Sequence, residues 1–384
     1  MNIINAWKNR LPFLFTCFLY ISCHSGGGKE VQLKREVENE MTSYARHFGM
    51  KKTAEGYSLE VYNPWQNAAD VTFHYQLSRT GLAPDNRNTK TIKIPVQRVV
   101  CLSTTHVGFI SKLNQQHTIV GLSGTRFVYD SIVNQRINQQ QIFEVGYEEN
   151  LDYELIASLK PDVVVAFSIT QTNNKQLENL ENLRIPVIYN AEYLEDNPLG
   201  KAEWVKFFGA LYDNTDAADT IFQDIAGHYN QLADMTENAG MRPAVLTGLP
   251  YKDVWYVPNS ESHLAQMIRQ AGGRYLWEGY NEKEVYPLDL EAVYTRAMHA
   301  NVWINSGFAA SMSDILSIDA RIGDFPVIKH KKVYNNNRRL GPNRGNDYFE
   351  SGAIHPHLIV KDMIKIFHPE LIPDHKLFYY QKLE

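Results

Sequence analysis

The tetrapeptide Leu-Asp-x-Glu occurs twice, at residues 151–154 and 288–291, and each copy opens a short helical stretch that runs into an apolar strand. In the first, LDYELIASLKPDVVVAF, Leu155, Ile156 and Leu159 recur at helical spacing before Pro161-Asp162 turns the chain into the run 163–167. In the second, LDLEAVYTRAMHANVWINSGF, Ala292, Val293, Ala297 and Met298 play the helical part and residues 302–304 the strand. The match extends upstream. RVVCLS (98–103) and RPAVLT (242–247) both read as a basic residue, a short buried strand and a small hydroxyl residue. Amphipathic helices follow, with Val107, Ile110 and Leu113 as one stripe and Leu264, Met267, Ile268 and Ala271 as the other. A repeated α/β unit dictates two similar lobes, and the cleft between such lobes is where a ligand binds.

The N-terminus reads as an export segment. Lys8 and Arg10 precede an apolar stretch over residues 11–21 that is too short to span a bilayer, so residues 1–22 are expected to be a signal peptide. Leu19-Tyr20-Ile21-Ser22-Cys23 is similar to a bacterial lipobox, with Tyr20 where an aliphatic residue is usual, which makes Cys23 the expected lipidation site. Residues 23–40, with Gly26-Gly27-Gly28 and a charged run lacking apolar periodicity, read as a flexible tether. Cys17, Cys23 and Cys101 offer no disulfide framework. The net charge of −5 contains no basic block, which argues against a nucleic-acid surface.

Residues 41–94 alternate as strands and are expected to form a small β meander beside the first lobe. Lobe one spans 95–200, with strands at 99–102, 118–122, 163–167 and 186–189 separated by helical stretches. That alternation predicts a parallel sheet with right-handed crossovers. Residues 201–238 carry no strand signal but hold Trp204, Phe207, Phe208 and Leu211, then Ala218, Ile221, Phe222, Ile225, Tyr229 and Leu232, at helical spacing. Asn214 is a plausible restart cap between the two sets, and the second half predicts a helix on the order of 36 Å long. Lobe two and the tail take 239–384. The expected fold is therefore α/β: two Rossmann-like lobes with parallel sheets, joined by a long backbone helix, plus the N-terminal β meander.

The order of RVVCLSTTHVGFI, LKPDVVVAF, the helical spine, VWYVPNSESHLAQMIRQAGG and FPVIKHKKVY resembles the helical-backbone class of ABC-importer substrate-binding proteins, over roughly residues 92–371. The resemblance implies a lipid-anchored, periplasm-facing receptor, likewise monomeric, that captures a ferric siderophore-like iron chelate and delivers it to a permease and ATPase complex. Cobalamin or haem is the alternative cargo and a bare metal ion a lesser one; no cofactor is implied. It also implies that Glu154 and Glu291, one on each lobe, dock into basic pockets of the permease. As helix-start residues the same glutamates would simply complement the helix dipole, worth ~0.3–1 kcal/mol.

Cleft residues are expected in loops after the carboxyl ends of the strands. Lobe one offers Ser103, Thr104, Thr105, His106, Arg126, Phe127, Phe167, Ser168 and Tyr189. Lobe two offers Trp255, Tyr256, Asn259, Ser306 and Phe308, together with Arg338, Arg339 and Arg344 in the loop NNNRRLGPNRGNDY. Guanidinium groups would pair with an anionic chelate and stack on its rings. The thirteen histidines are scattered, with His355-Pro-His357 the one tight pair, so no metal-ligand set is expected. Gly121-Leu-Ser123-Gly124 lacks the spacing of a nucleophile elbow, and HExxH, GxxxxGK[ST] and GxGxxG are absent, so no enzyme is expected.

Overall fold

Four strands form the first sheet, β1 (Phe48–Thr53), β2 (Gly56–Tyr62), β3 (Thr72–Ser78) and β4 (Thr89–Lys93), in that order, with burial alternating most clearly along β2. The computed structural model describes residues 41–82, 89–147, 150–169 and 174–384. The expected signal peptide, Cys23 and the tether lie outside the described residues. β1, β2 and β3 pair antiparallel, but β4 runs parallel to β3, which corrects the expected meander. In that register Thr89 lies beside His74 and Lys93 beside Ser78, so β4 sets off from the end where β3 began.

This sheet is fastened to the lobe through two buried carboxylates. Glu203 accepts the backbone N–H groups of Ser43 (2.8 Å), Tyr44 (2.7 Å) and Ala45 (2.8 Å) and lies 3.1 Å from the Lys206 ammonium. Glu195 accepts those of Arg46 and His47, both at 3.0 Å, and the Trp204 indole N–H at 3.1 Å. Phe48 packs on Trp204 with ring centroids 4.5 Å apart. Burying a carboxyl is costly unless hydrogen bonds replace water, and these clusters supply them.

Lobe one is a parallel sheet in the order Val187–Tyr189, Val163–Ala166, Val99–Cys101, Ile119–Leu122, Phe143–Glu144. The first four strands match the sequence reading to within a residue or two. The edge strand Phe143–Glu144 was not foreseen, because two exposed residues carry no pattern. Lobe two is smaller: Arg274–Tyr275, Ala244–Thr247 and Val302–Ile304 run parallel, and Trp303 bridges onward to Val333. An antiparallel pair joins Trp255–Pro258, which precedes the helix His263–Gln270, to Val285–Leu288, which follows it and leads into Leu290–Ala297.

The connection between the lobes is two helices. Pro198–Leu211, capped by the Asn197 side chain, is buried along nearly its whole length. Thr215–Thr236 has one buried face, formed by Ala218, Phe222, Ile225, Tyr229 and Leu232, and at 22 residues it is about 33 Å long. Asn214 precedes it but makes no side-chain cap hydrogen bond. Pro198–Leu211 packs on the first helix of each lobe, Thr104–Lys112 and His263–Gln270, so it is the common wall on which both lobes rest.

Candidate functional site

Between the lobes lies a cavity of about 830 Å³, within the range that buries most of a drug-sized ligand. Its lobe-one wall is built where strands end. Leu102, Ser103 and Thr104 follow Val99–Cys101, Ser123, Gly124 and Phe127 follow Ile119–Leu122, and Phe167 follows Val163–Ala166. Lobe two contributes the first turn of His263–Gln270, the segment after Val302–Ile304 that carries Asn305, Gly307 and Phe308, and a loop holding Asn336, Asn337, Leu340, Arg344 and Asn346. Tyr147, Pro258, Ala310, Tyr348 and Phe349 also line it.

Four aromatic side chains on this lining stand open to solvent, Phe308 (71% exposed), Phe349 (61%), Tyr147 (50%) and Phe127 (41%). Arg126 lies with its guanidinium 4.4 Å from the Phe127 ring, backing that ring from outside the cavity. The Phe308 segment is pinned from below: the Asn335 amide donates to the carbonyls of Gly307 (2.9 Å) and Ala309 (2.7 Å), and Asn337 donates to Ala309 (3.0 Å). Among the described residues, no carboxylate lines the cavity and Arg344 is its one guanidinium. The field there favours an anionic or neutral ligand with flat apolar faces.

Several residues expected at the cleft are placed elsewhere. His106 is buried on the inner face of Thr104–Lys112, 6.0 Å from the Phe208 ring, and burial pushes its imidazole down to about 3. Trp255 points into the core, its indole N–H donating to the Thr247 carbonyl (2.9 Å) and its ring 5.5 Å from Trp303. Tyr256, next along the same strand, faces outward and exposed, as strand alternation requires, and is not on the cavity lining. Tyr189 is buried because the N-terminal sheet covers it, packing against Phe73 (4.6 Å) and Trp65 (6.3 Å). Ser168 lies buried beneath Tyr193, whose hydroxyl donates to its carbonyl (2.6 Å). Ser306 is buried, and the Asn259 side chain accepts the Glu261 N–H (2.9 Å) to hold a turn.

The three arginines of the loop separate. Arg344 lines the cavity, Arg338 is exposed outside it, and Arg339 is drawn to the rear, where it pairs with Asp347 (2.5 Å) between the rings of Tyr129 and Phe378. Thr105 lines a smaller neighbouring cavity. Ser123, Tyr147, Ser262, His263, Leu264 and Phe349 line the main cavity without having been singled out, and Asn336, Asn337 and Asn346 do so in a loop expected at the cleft for its arginines.

At the rear, the lobes are stitched together. The Glu350 carboxyl of lobe two accepts the N–H groups of Tyr129 (2.6 Å) and Asp130 (2.8 Å) of lobe one. Burial, reinforced by the charges of Asp347 and Asp130, raises it to about 8 against the pull of those two N–H groups. Backbones meet there too: a Cβ on Gly345 would sit 2.1 Å from the Phe127 carbonyl oxygen, and one on Gly108 would sit 2.1 Å from that of Glu350.

The twin Leu-Asp-x-Glu motifs fold alike. Asp152 accepts the N–H of Leu155 (2.9 Å) to cap Tyr153–Ser158, and Asp289 accepts that of Ala292 (2.7 Å) to cap Leu290–Ala297. Glu154 and Glu291 are each exposed in the first turn. Glu291 also binds Arg321 (2.7 Å), which holds its carboxyl below the usual range. Among the described residues, no group of three His, Cys, Asp or Glu is placed to hold a metal ion. His355 and His357 lie outside the main cavity, beside the long helix, where His357 faces His228 with ring centroids 6.0 Å apart.

Comparison with known proteins adds to this geometry. Residues 99–338 match the model of a family described as "Periplasmic binding protein". An uncharacterized lipoprotein of Methanocaldococcus jannaschii is 25% identical over 304 residues, covering 77% of this chain and 70% of that one. The molybdate periplasmic binding protein of Haemophilus influenzae superposes with a TM-score of 0.58 at 17% identity, covering 75% of this chain and 90% of that one. A possible iron-binding periplasmic solute-binding protein of Staphylococcus epidermidis gives 0.55 at 14% identity, covering 71% and 99%. These likenesses carry the fold.

Proposed function

The chain belongs to the periplasmic binding protein family, and from that premise we propose that it captures an anionic iron chelate of the ferric-siderophore kind and hands it to an ABC permease and its ATPase. The family is one of binding proteins, so the cavity serves capture and no catalysis is assigned to it. One observation carries the cargo reading: an 830 Å³ cavity walled by exposed aromatic rings, with Arg344 and, among the described residues, no carboxylate on its lining. A bare ion or a small oxyanion would leave most of that space unfilled. A chelate presents rings for Phe127, Tyr147, Phe308 and Phe349 to face, and negative charge for Arg344 to neutralise. Asn305, Asn336, Asn337 and Asn346 favour a second reading, a corrinoid, whose peripheral amides would meet carboxamides.

Lipidation at Cys23 rests on the lipobox-like sequence and on relatives named as lipoproteins. Permease docking rests on the exposed, equivalent positions of Glu154 and Glu291. Native mass spectrometry of protein purified from its own host tests the cargo, since an iron-chelate mass and a corrinoid mass are far apart. With the chelate in hand, Arg344→Ala should weaken binding roughly tenfold or more, the scale of a charged hydrogen bond. Absence of any iron-bearing mass, with unchanged affinity in that variant, would sink the iron-chelate reading.

A further inference from the structure

Next to the main cavity is a second one of about 230 Å³, and His263, Tyr348 and Phe349 line both. Thr105, Glu192 and Tyr193 of lobe one, Lys201 of the buried helix, and Met267 and Ile359 of lobe two close the rest of its wall. At ~30 Å³ per water-sized group this holds about seven such groups, enough for the end of a side arm and too little for a separate cargo.

Its chemistry is unusual for so small a space. Lys201 Nζ lies 3.3 Å from Glu192 Oε2, with both side chains largely buried, yet that oxygen takes no well-aligned hydrogen bond among the described residues. Burial, then the Lys201 charge, holds the His263 imidazole down to about 3, so it is neutral and adds no charge to the wall. An incoming ammonium would be drawn to Glu192 and repelled by Lys201, and an incoming carboxylate the reverse, each bringing net charge into a desolvated space. A carboxamide brings none. Its carbonyl can accept from the Lys201 ammonium while its N–H donates to Glu192 Oε2, and its stem lies against Met267, Ile359 and Phe349.

We infer that this chamber is a side pocket of the binding cleft that receives an amide-terminated arm of the cargo, with Lys201 and Glu192 reading the two ends of the amide and His263, Tyr348 and Phe349 forming the shared wall through which the arm enters. The inference rests on the reading of the main cavity as a cargo site, but its test does not use the cargo. Butyramide, butyrate and butylammonium would each be titrated into the full chain labelled with ¹³C-methyl methionine, following the Met267 methyl signal, assigned through Met267→Leu. Butyramide should shift that signal saturably, with the two ions about tenfold weaker or worse. Ala353→Leu, which adds volume on the chamber wall, should abolish the shift while leaving the thermal unfolding of the chain in place. Should Ala353→Leu not fold, Lys201→Met gives the second reading, an amide preference that collapses toward equality with butylammonium. The inference is overturned if butyramide leaves Met267 unmoved, if the ions bind as well as the amide, or if the variant that folds retains the wild-type preference. A main cavity that takes no iron chelate would leave all of these outcomes readable, so the two proposals fail separately.

Discussion

Replacing Glu350 by glutamine is expected to flatten the pH dependence of stability. In the fold this carboxyl is buried at the rear lobe contact and raised to about 8, first by burial and then by Asp347 and Asp130. Its ordinary value is 4.5. The folded state therefore holds the proton more tightly than the unfolded chain does. That sign makes the stabilisation fully present below the unfolded value and progressively lost as pH rises through the folded one. Taken across the interval from pH 5 to pH 9, linkage puts the loss at roughly 4 kcal/mol, an upper figure because some water reaches a site of this kind. Glutamine keeps the shape and one acceptor but does not titrate. Urea unfolding of both proteins at unit pH steps gives the difference in stability directly, and the other titrating groups cancel in it. Wild type should lose ground to Glu350→Gln steadily toward alkaline pH. A difference constant within about 1 kcal/mol would refute the reasoning, because it would mean that the Tyr129 and Asp130 N–H groups alone keep the carboxylate ionised throughout.

Glu203→Ala strands three backbone N–H groups and half of the Lys206 pairing, although Lys206 keeps Asp219 at 2.9 Å; a loss of about 3 kcal/mol is expected, with faster amide exchange at residues 43–45, and a loss under about 1 kcal/mol would contradict it. Gly345→Ala should cost ~1–3 kcal/mol and weaken ligand binding, since its Cβ meets the Phe127 carbonyl across the lobe contact. Gly227→Ala, in the long helix with nothing within 4 Å, should instead stabilise by ~0.5–1 kcal/mol, and calorimetry on the pair checks both signs. Reversing Glu154 and Glu291 together to arginine should abolish cellular uptake of the cargo with its affinity for the isolated protein unchanged; lost affinity would place those residues in the fold or the site instead.

The strands of lobe one, the paired helix starts at Asp152 and Asp289, and the buried stripe of the long helix were legible because each is a local pattern whose period matches its element. The cleft was legible only in part. Ser103, Thr104, Phe127, Phe167, Phe308 and Arg344 reach the lining because a residue just after a strand is carried to its open end. The same rule misplaces Tyr189, since a separate sheet packs over that strand's edge, and His106, since two residues of helix beyond Thr104 turn it to the opposite face. Trp255 and Tyr256 are neighbours in one strand, and the pleat alone sends one inward and the other out. Arg339 and Arg344 sit in one loop, but Asp347 pulls the first to the rear.

The sequence by itself determined duplication, two α/β lobes, a helical connection and two exposed glutamates at equivalent helix starts, because hydrophobic period and capping chemistry act over a few residues. Only the tertiary structure decided which side chains face the cleft, that a carboxyl on one lobe is stitched to backbone on the other, and that a lysine and a glutamate nine residues apart share the wall of one small chamber. Those outcomes depend on which surfaces meet across the chain, and burial, which fixes the charge state of His263 and Glu350, exists only after they have met.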